Sequence, residues 1–263
     1  MKTRTAISWR SYYSLAVICI LAFLSPERSI CETLTGQHPQ EFRGTIARDV
    51  QFKYLLFLPE GYGNQSDKKW PLIMYLHGAS RSGTDIEKVR EPGFGLPAFV
   101  EKNKSLPFVV VSPQCLEGEY WTDSDGLIAL LDHVLKNYAI DPQRVYLTGH
   151  SMGARGTWYL AYRHPEKFAA IAPLSGKWLR MEWASRLKHM PIWAFHGEKD
   201  DIAPIADTVE LVKAVKDAGN TEVKFTVLPE RDHFILDQYE NQELYSWFLQ
   251  HKLKDGDVPT AAE

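Results

Sequence analysis

Gly149-His150-Ser151-Met152-Gly153 sets a serine between two glycines at a spacing suited to nucleophilic chemistry. The apolar run Val145 to Leu147 leads into these five residues, and a helix-forming stretch, Ala154 to Tyr162, follows directly. A strand, a sharp turn and a helix in that order hold a serine in a strained backbone conformation with its hydroxyl exposed. Gly149 and Gly153 leave room for the turn, because a Cβ at either place would press on the neighbouring strand and helix. The five-residue pattern is short enough to arise by chance, and its context gives it weight.

A serine hydroxyl is a poor nucleophile until an imidazole takes its proton, and that imidazole needs a carboxylate to fix its tautomer. After such a turn the acid comes next and the histidine last, each on a loop at the sheet's C-terminal edge. Of nine histidines, only His233 and His251 follow the strand expected over Pro191 to Phe195 and its acid. His251 falls in the closing helix expected over Gln238 to His251. His233 follows the strand expected over Val223 to Leu228, through Pro229-Glu230-Arg231-Asp232, and is the expected base. The acid is open: Asp200 and Asp201 both sit just past a strand end, and Glu198 is a third option. The backbone N–H of Met152 is one expected donor to a tetrahedral oxyanion. The second is that of Ala79, in the loop His77-Gly78-Ala79; His77 itself reads as structural. Trp121 and Trp178, at loop ends, either line a substrate pocket or pack into the interior.

The elements that must position these residues alternate. Strands are expected at Gln51 to Leu58, Pro71 to Leu76, Phe108 to Val111 and Phe168 to Leu174, besides those already named. Leu127, Leu130, Leu131, Val134 and Leu135 form a stripe of helical period over Asp125 to Tyr138, and a further helix spans Ile205 to Ala218. Alternation of this kind indicates a mostly parallel central sheet with helices on both faces, in the α/β class. The longest irregular stretch, Ala79 to Leu96, either borders the site or is a plain surface loop. No large lid domain is expected.

Lys2, Arg4 and Arg10 precede the apolar run Leu15 to Leu24 and the small residues Ser29 and Cys31. This reads as a signal peptide over residues 1–31, too short to span a bilayer comfortably, with one catalytic domain over 32–263 and a secreted or periplasmic location. An uncleaved anchor is the alternative. Cys115 is then the one cysteine of the mature chain, so no intramolecular disulfide forms, and it reads as a packed thiol. A net charge of −3 without a basic stripe argues against nucleic-acid binding. No metal-binding or phosphate-cradling motif is present, so no cofactor is expected.

The chain resembles the α/β-hydrolase serine esterases and predicted peptidases. That branch contains phospholipase/carboxylesterases, polyhydroxybutyrate-depolymerase-like and feruloyl esterases, and the catalytic domain of prolyl oligopeptidases. The motifs are Leu76-His77-Gly78, Pro113-Gln114-Cys115, Trp121, Asp141-Pro142-x-Arg144-Val145-Tyr146, Gly149 to Gly153, Gly156-Thr157-Trp158 and His196-Gly197-x-x-Asp200-x-x-x-Pro204. They run in order from about Phe52 to His251. The resemblance implies an α/β-hydrolase fold with Asp200 as the acid, His233 as the base, and Met152 with Ala79 as oxyanion donors. It also implies a small-molecule or carbohydrate-linked ester as substrate. Three departures stand out: Ala154-Arg155 in place of the frequent Gly and aromatic, Asp232 where Gly is common, and Phe234 after the histidine. A serine peptidase of the prolyl oligopeptidase type and an inactive hydrolase fold used for binding are the rival readings.

Overall fold

The computed structural model describes residues 47–254, apart from residues 66 and 94. The expected signal peptide, with Cys19 and Cys31, lies outside the described residues. Among the described residues, Arg48 to Lys254 form one unit. Its strands are β1 (Tyr54–Phe57), β2 (Trp70–Leu76), β3 (Val109–Pro113), β4 (Ile140–His150), β5 (Ala170–Leu174), β6 (Ile192–Gly197) and β7 (Val223–Leu228). Its helices are α1 (Leu96–Lys102), α2 (Ser124–Asn137), α3 (Met152–Arg163), α4 (Ala206–Asp217) and α5 (Gln242–Phe248).

The described strands form one sheet in the order β1-β3-β2-β4-β5-β6-β7, with β1 antiparallel to β3 and all other neighbours parallel. Every residue of β2, β3, β5 and β6 is buried, as a strand covered on both faces requires. Side chains alternate between two cores because successive strand residues point to opposite faces. Leu72, Met74 and Leu76 join the core shared with Leu127 and Leu131 of α2, Trp158 of α3 and Leu211 of α4. Ile73 and Tyr75 join the other, with Leu96 of α1 and Leu244 and Phe248 of α5. The fold is that of the α/β-hydrolases.

Strand order reverses at β2, which has β3 on one side and β4 on the other. A crevice opens beyond the carboxyl ends of strands at such a reversal, where ligands bind in open α/β sheets. The loop after β2 begins at His77 and the turn after β4 holds Ser151, so both meet there.

Two stretches differ from the sequence reading. The irregular segment after β2 contains 3₁₀ turns at Ala79–Arg81 and Ile86–Arg90 and leads straight into α1, which no periodic stripe announced. The expected closing helix is two elements, a 3₁₀ turn at Leu236–Glu240 and then α5. Asn241 separates them and caps α5, accepting a hydrogen bond from the Glu243 N–H at 2.9 Å. Among the described residues no helix is long and apolar enough to cross a membrane.

The start of α3 lies against the end of β2 with backbone on backbone. A Cβ on Gly153 would fall 1.8 Å from the Leu76 carbonyl oxygen, where no flexible side chain can yield. Gly153→Ala should therefore destabilise the fold by about 3 kcal/mol or more, read as a lowered urea midpoint. A wild-type midpoint would mean that α3 can shift away from β2 freely.

Candidate active site

Strand β4 delivers Ser151 to the carboxyl edge of the sheet, and α3 begins at the next residue. Ser151 has φ 57° and ψ −115°, outside the regions that side-chain-bearing residues ordinarily occupy. Such strain costs about 1–3 kcal/mol and persists only where surroundings over-determine it. Here the Ser151 N–H donates to the Leu174 carbonyl at 2.9 Å, and its own carbonyl accepts from the Arg155 N–H at 3.1 Å. The serine makes no side-chain cap to α3.

Its hydroxyl lies 2.8 Å from His233 Nε2. On the other side of the ring, His233 Nδ1 lies 2.8 Å from Asp200 Oδ2. The second carboxylate oxygen, Oδ1, accepts from the N–H groups of Ile202 and Ala203 at 3.0 and 2.7 Å. Both oxygens being acceptors, Nδ1 carries the ring proton and Nε2 is left bare toward the serine hydroxyl. Asp200 and His233 are buried, whereas Asp201 and Glu198 are exposed. Among the acids the spacing left open, Asp200 is the one whose carboxylate meets His233. His251 instead faces Trp247 and Glu222.

Two further histidines brace this pair, and the sequence reading gave neither a role. His150 donates from Nε2 to the His233 carbonyl at 2.8 Å, fixing the backbone of the base. His196 donates from Nε2 to the Ala203 carbonyl at 2.7 Å, and that nitrogen also stands 3.2 Å from Asp200 Oδ2. Its Nδ1 accepts from the Thr208 hydroxyl at 2.9 Å. Burial, above all, pushes His150 down to about 4 and His196 below the usual histidine range, so both rings are neutral near pH 7. The signal that finds them is position: His150 closes β4 just before Ser151, and His196 is next to last in β6, four residues before Asp200. A Cβ on Gly197 would lie 2.1 Å from the Asp232 carbonyl oxygen, so only glycine there lets the His233 loop rest on the end of β6.

The N–H groups of Met152 and Ala79 are each the first of a helix, α3 and the 3₁₀ turn. Such groups have no intrahelical acceptor and sit at the positive end of the helix dipole. The loop carrying Ala79 is held close to the nucleophile, since a Cβ on Gly78 would lie 3.6 Å from Ser151 Cβ. His77 anchors that loop: Nδ1 donates to the Gly78 carbonyl at 2.8 Å and Nε2 accepts from the Cys115 N–H at 3.0 Å. Burial pushes His77 down to about 4. The same loop receives the Trp121 indole N–H on the His77 carbonyl at 2.9 Å. Cys115 is a buried free thiol, pushed up to about 11 chiefly by burial, which suits packing and not nucleophilic attack.

A cleft of about 170 Å³ opens over Ser151, bounded by Tyr75, Ala79, Ile202, His233 and Phe234 among others. Neither tryptophan bounds this cleft; Trp121 lines a separate cavity of about 490 Å³ with Gln114 and Tyr120. Trp121 is 2% exposed because its ring packs against His77 and its Cβ against the backbone of Gly156. Trp178 is 57% exposed at φ 55°, where a strained turn directs it outward against Tyr120.

Residues 119–249 match the phospholipase/carboxylesterase family. Over 194 residues the chain is 31% identical to a bifunctional acetylxylan esterase/xylanase of Neocallimastix patriciarum, covering 67% of this chain and 26% of that protein. It is 28% identical over 176 residues to a probable feruloyl esterase C of Aspergillus terreus, covering 64% and 62%. The chain thus spans less than two thirds of either relative. A thermostable esterase of known structure superposes with a TM-score of 0.66 at 29% identity, over 77% of this chain and 60% of its own. Est1E from Butyrivibrio proteoclasticus, with a TM-score of 0.58 at 16% identity over 76% of this chain and 94% of its own, shares the fold. The chain has the α/β-hydrolase fold, and its similarity to the phospholipase/carboxylesterase family lies over residues 119–249.

The neutral buried histidines make stability depend on pH. His77 and His150 titrate at about 4 in the fold, below the value near 6.5 of an unfolded histidine. On acidification the unfolded chain takes up these protons first, so stability is full above about pH 6.5 and falls toward pH 4. Each ring accounts for about 1.4 kcal/mol per pH unit within that window. Urea midpoints at pH 7 and pH 5 should differ accordingly. His150→Gln, which keeps a donor for the His233 carbonyl, should flatten the dependence. Equal midpoints at the two pH values would show that these rings are not desolvated.

Proposed function

We propose that this protein is a secreted carboxylic-ester hydrolase working through an acyl-enzyme on Ser151. The observation that carries the reading is the unbroken hydrogen-bond chain from Ser151 through His233 to Asp200, 2.8 Å at each link. Ser151 Oγ attacks the ester carbonyl while His233 Nε2 takes the hydroxyl proton. The N–H groups of Met152 and Ala79 receive the oxyanion of the tetrahedral intermediate. Its collapse expels the alkoxide, which takes the proton from His233 and leaves as the alcohol. Water then attacks the acyl-enzyme, giving its proton to His233. The second intermediate releases the carboxylic acid as Ser151 Oγ recovers that proton. Asp200 stays ionised throughout and holds the Nδ1 proton in place.

The names of the relatives, acetylxylan esterase and feruloyl esterase, support a small or carbohydrate-linked ester as substrate. The basic and apolar pattern from Lys2 to Leu24 supports secretion.

Ser151→Ala should lose both ester turnover and labelling by a fluorophosphonate while remaining folded. Asp200→Asn should lower kcat by about 10⁴-fold, because the amide no longer enforces the working tautomer. Assays on 4-nitrophenyl acetate and a short peptide anilide should show turnover of the ester alone. Retention by Ser151→Ala of more than about a tenth of the wild-type rate would remove the mechanism.

A further inference from the structure

One polar side chain in the wall of the Ser151 cleft has no part in the chemistry above. Tyr75 is next to last in β2, is 2% exposed, and bounds the cleft together with Ser151 and His233. Its ring is held at both ends. Tyr239 packs edge-on against it, with ring centroids 5.4 Å apart. At the far end a Cβ on Gly95 would lie 2.2 Å from the Tyr75 hydroxyl oxygen, so glycine there lets the backbone before α1 close on the ring.

Four tyrosines are buried in the core that Tyr75 joins, and three of them find partners within the protein. Tyr146 donates to the His251 carbonyl, Tyr239 meets the Thr148 hydroxyl, and Tyr245 donates to the Tyr239 carbonyl. Among the described residues the Tyr75 hydroxyl has none. Nor is it sealed away, as the unpartnered Ser175 hydroxyl is, so it meets the open space that Tyr75 borders, the cleft. The other polar groups around that space are engaged. His150 secures the His233 carbonyl, Arg81 pairs with Glu91, and the Ser80 hydroxyl accepts from Arg81 Nε at 3.4 Å. Burial pushes the Tyr75 hydroxyl well above the usual tyrosine range, so it keeps its proton and can donate it. An unpaired buried hydroxyl weakens a fold, and a bound group that accepts its hydrogen bond removes that penalty.

We propose that Tyr75 is a specificity-determining residue whose hydroxyl donates to the substrate, so that preferred esters carry an ether or hydroxyl oxygen on the group seated in this cleft. The proposal rests on the hydrolase reading above and narrows its substrate class. The remaining wall, with Ile202, Phe234 and Leu236, is apolar, which suits a short carbon chain bearing a single oxygen. A site built around such a donor discriminates against the analogue that lacks the oxygen, because the donor is then left unpaired.

The test uses two pairs of isosteric esters and the variant Tyr75→Phe, which removes the hydroxyl and keeps the ring. 4-Nitrophenyl methoxyacetate and 4-nitrophenyl butyrate differ by one oxygen on the acyl side. 2-Methoxyethyl acetate and butyl acetate differ by one on the alcohol side. Comparing the ratio within a pair between wild type and variant cancels intrinsic reactivity. The oxygenated-to-hydrocarbon ratio of kcat/KM should fall about fivefold or more in at least one pair, and that pair identifies the side of the ester that occupies the cleft. The urea midpoint of Tyr75→Phe should equal or exceed the wild-type value, since the lost hydroxyl has no partner among the described residues. A smaller fall in both pairs, or a lowered midpoint, overturns the role of Tyr75 while leaving the hydrolase intact. A wild type that turns over none of the four esters overturns the hydrolase reading and this proposal with it.

Discussion

The contact on which the site depends is between backbones: the first turn of α3 lies on the carboxyl end of β2. Cβ atoms on Gly149 and Gly153 would both come within 2.5 Å of the Leu76 carbonyl oxygen. With no side chain at either place, the chain reverses within a few residues and Ser151 stands at positive φ between strand and helix. The same contact brings the start of α3 beside the loop after β2, so two helix-initial N–H groups face one crevice. A serine presented on a relaxed turn would have neither the exposure nor the neighbours.

The groups around that serine are held by complete hydrogen bonding. Asp200 uses both oxygens, His77 and His196 use both ring nitrogens, and His150 secures the carbonyl of His233. Buried polar groups are tolerated only when paired in this way, and pairing fixes geometry before a substrate arrives. Burial has a second effect. It keeps His77, His150 and His196 neutral, so that no positive ring competes with His233 for Asp200. Preorganisation at pH 7 and weakening in acid then have one physical origin.

The periphery is less constrained. Phe234 and Ile202 are exposed at the cleft edge, and Trp178 and Tyr120 form an exposed aromatic pair. Arg155 contacts the same turn, its Nε lying 3.4 Å from the Trp178 carbonyl.

What the sequence determined by itself was local or directional. Gly149 to Gly153 fixed the turn because its steric demand lies within five residues. Alternating strands and helices implied the parallel sheet, since each element's burial pattern repeats at its own period. Chain order reduced nine histidines to His233 and His251, and the closing helix expected around His251 left His233. Tertiary structure decided what depends on residues far apart in the chain. Spacing could not choose between Asp200 and Asp201, and only the packed loop turns one carboxylate inward to His233. Trp121 went to the interior because its indole N–H found the His77 carbonyl, a partner 44 residues away. His150 and His196 gained their roles through carbonyls and a carboxylate that meet only when β4, β6 and the loop after β7 share one edge. Local sterics can be read along a chain; the partner of a buried polar group is chosen by the fold.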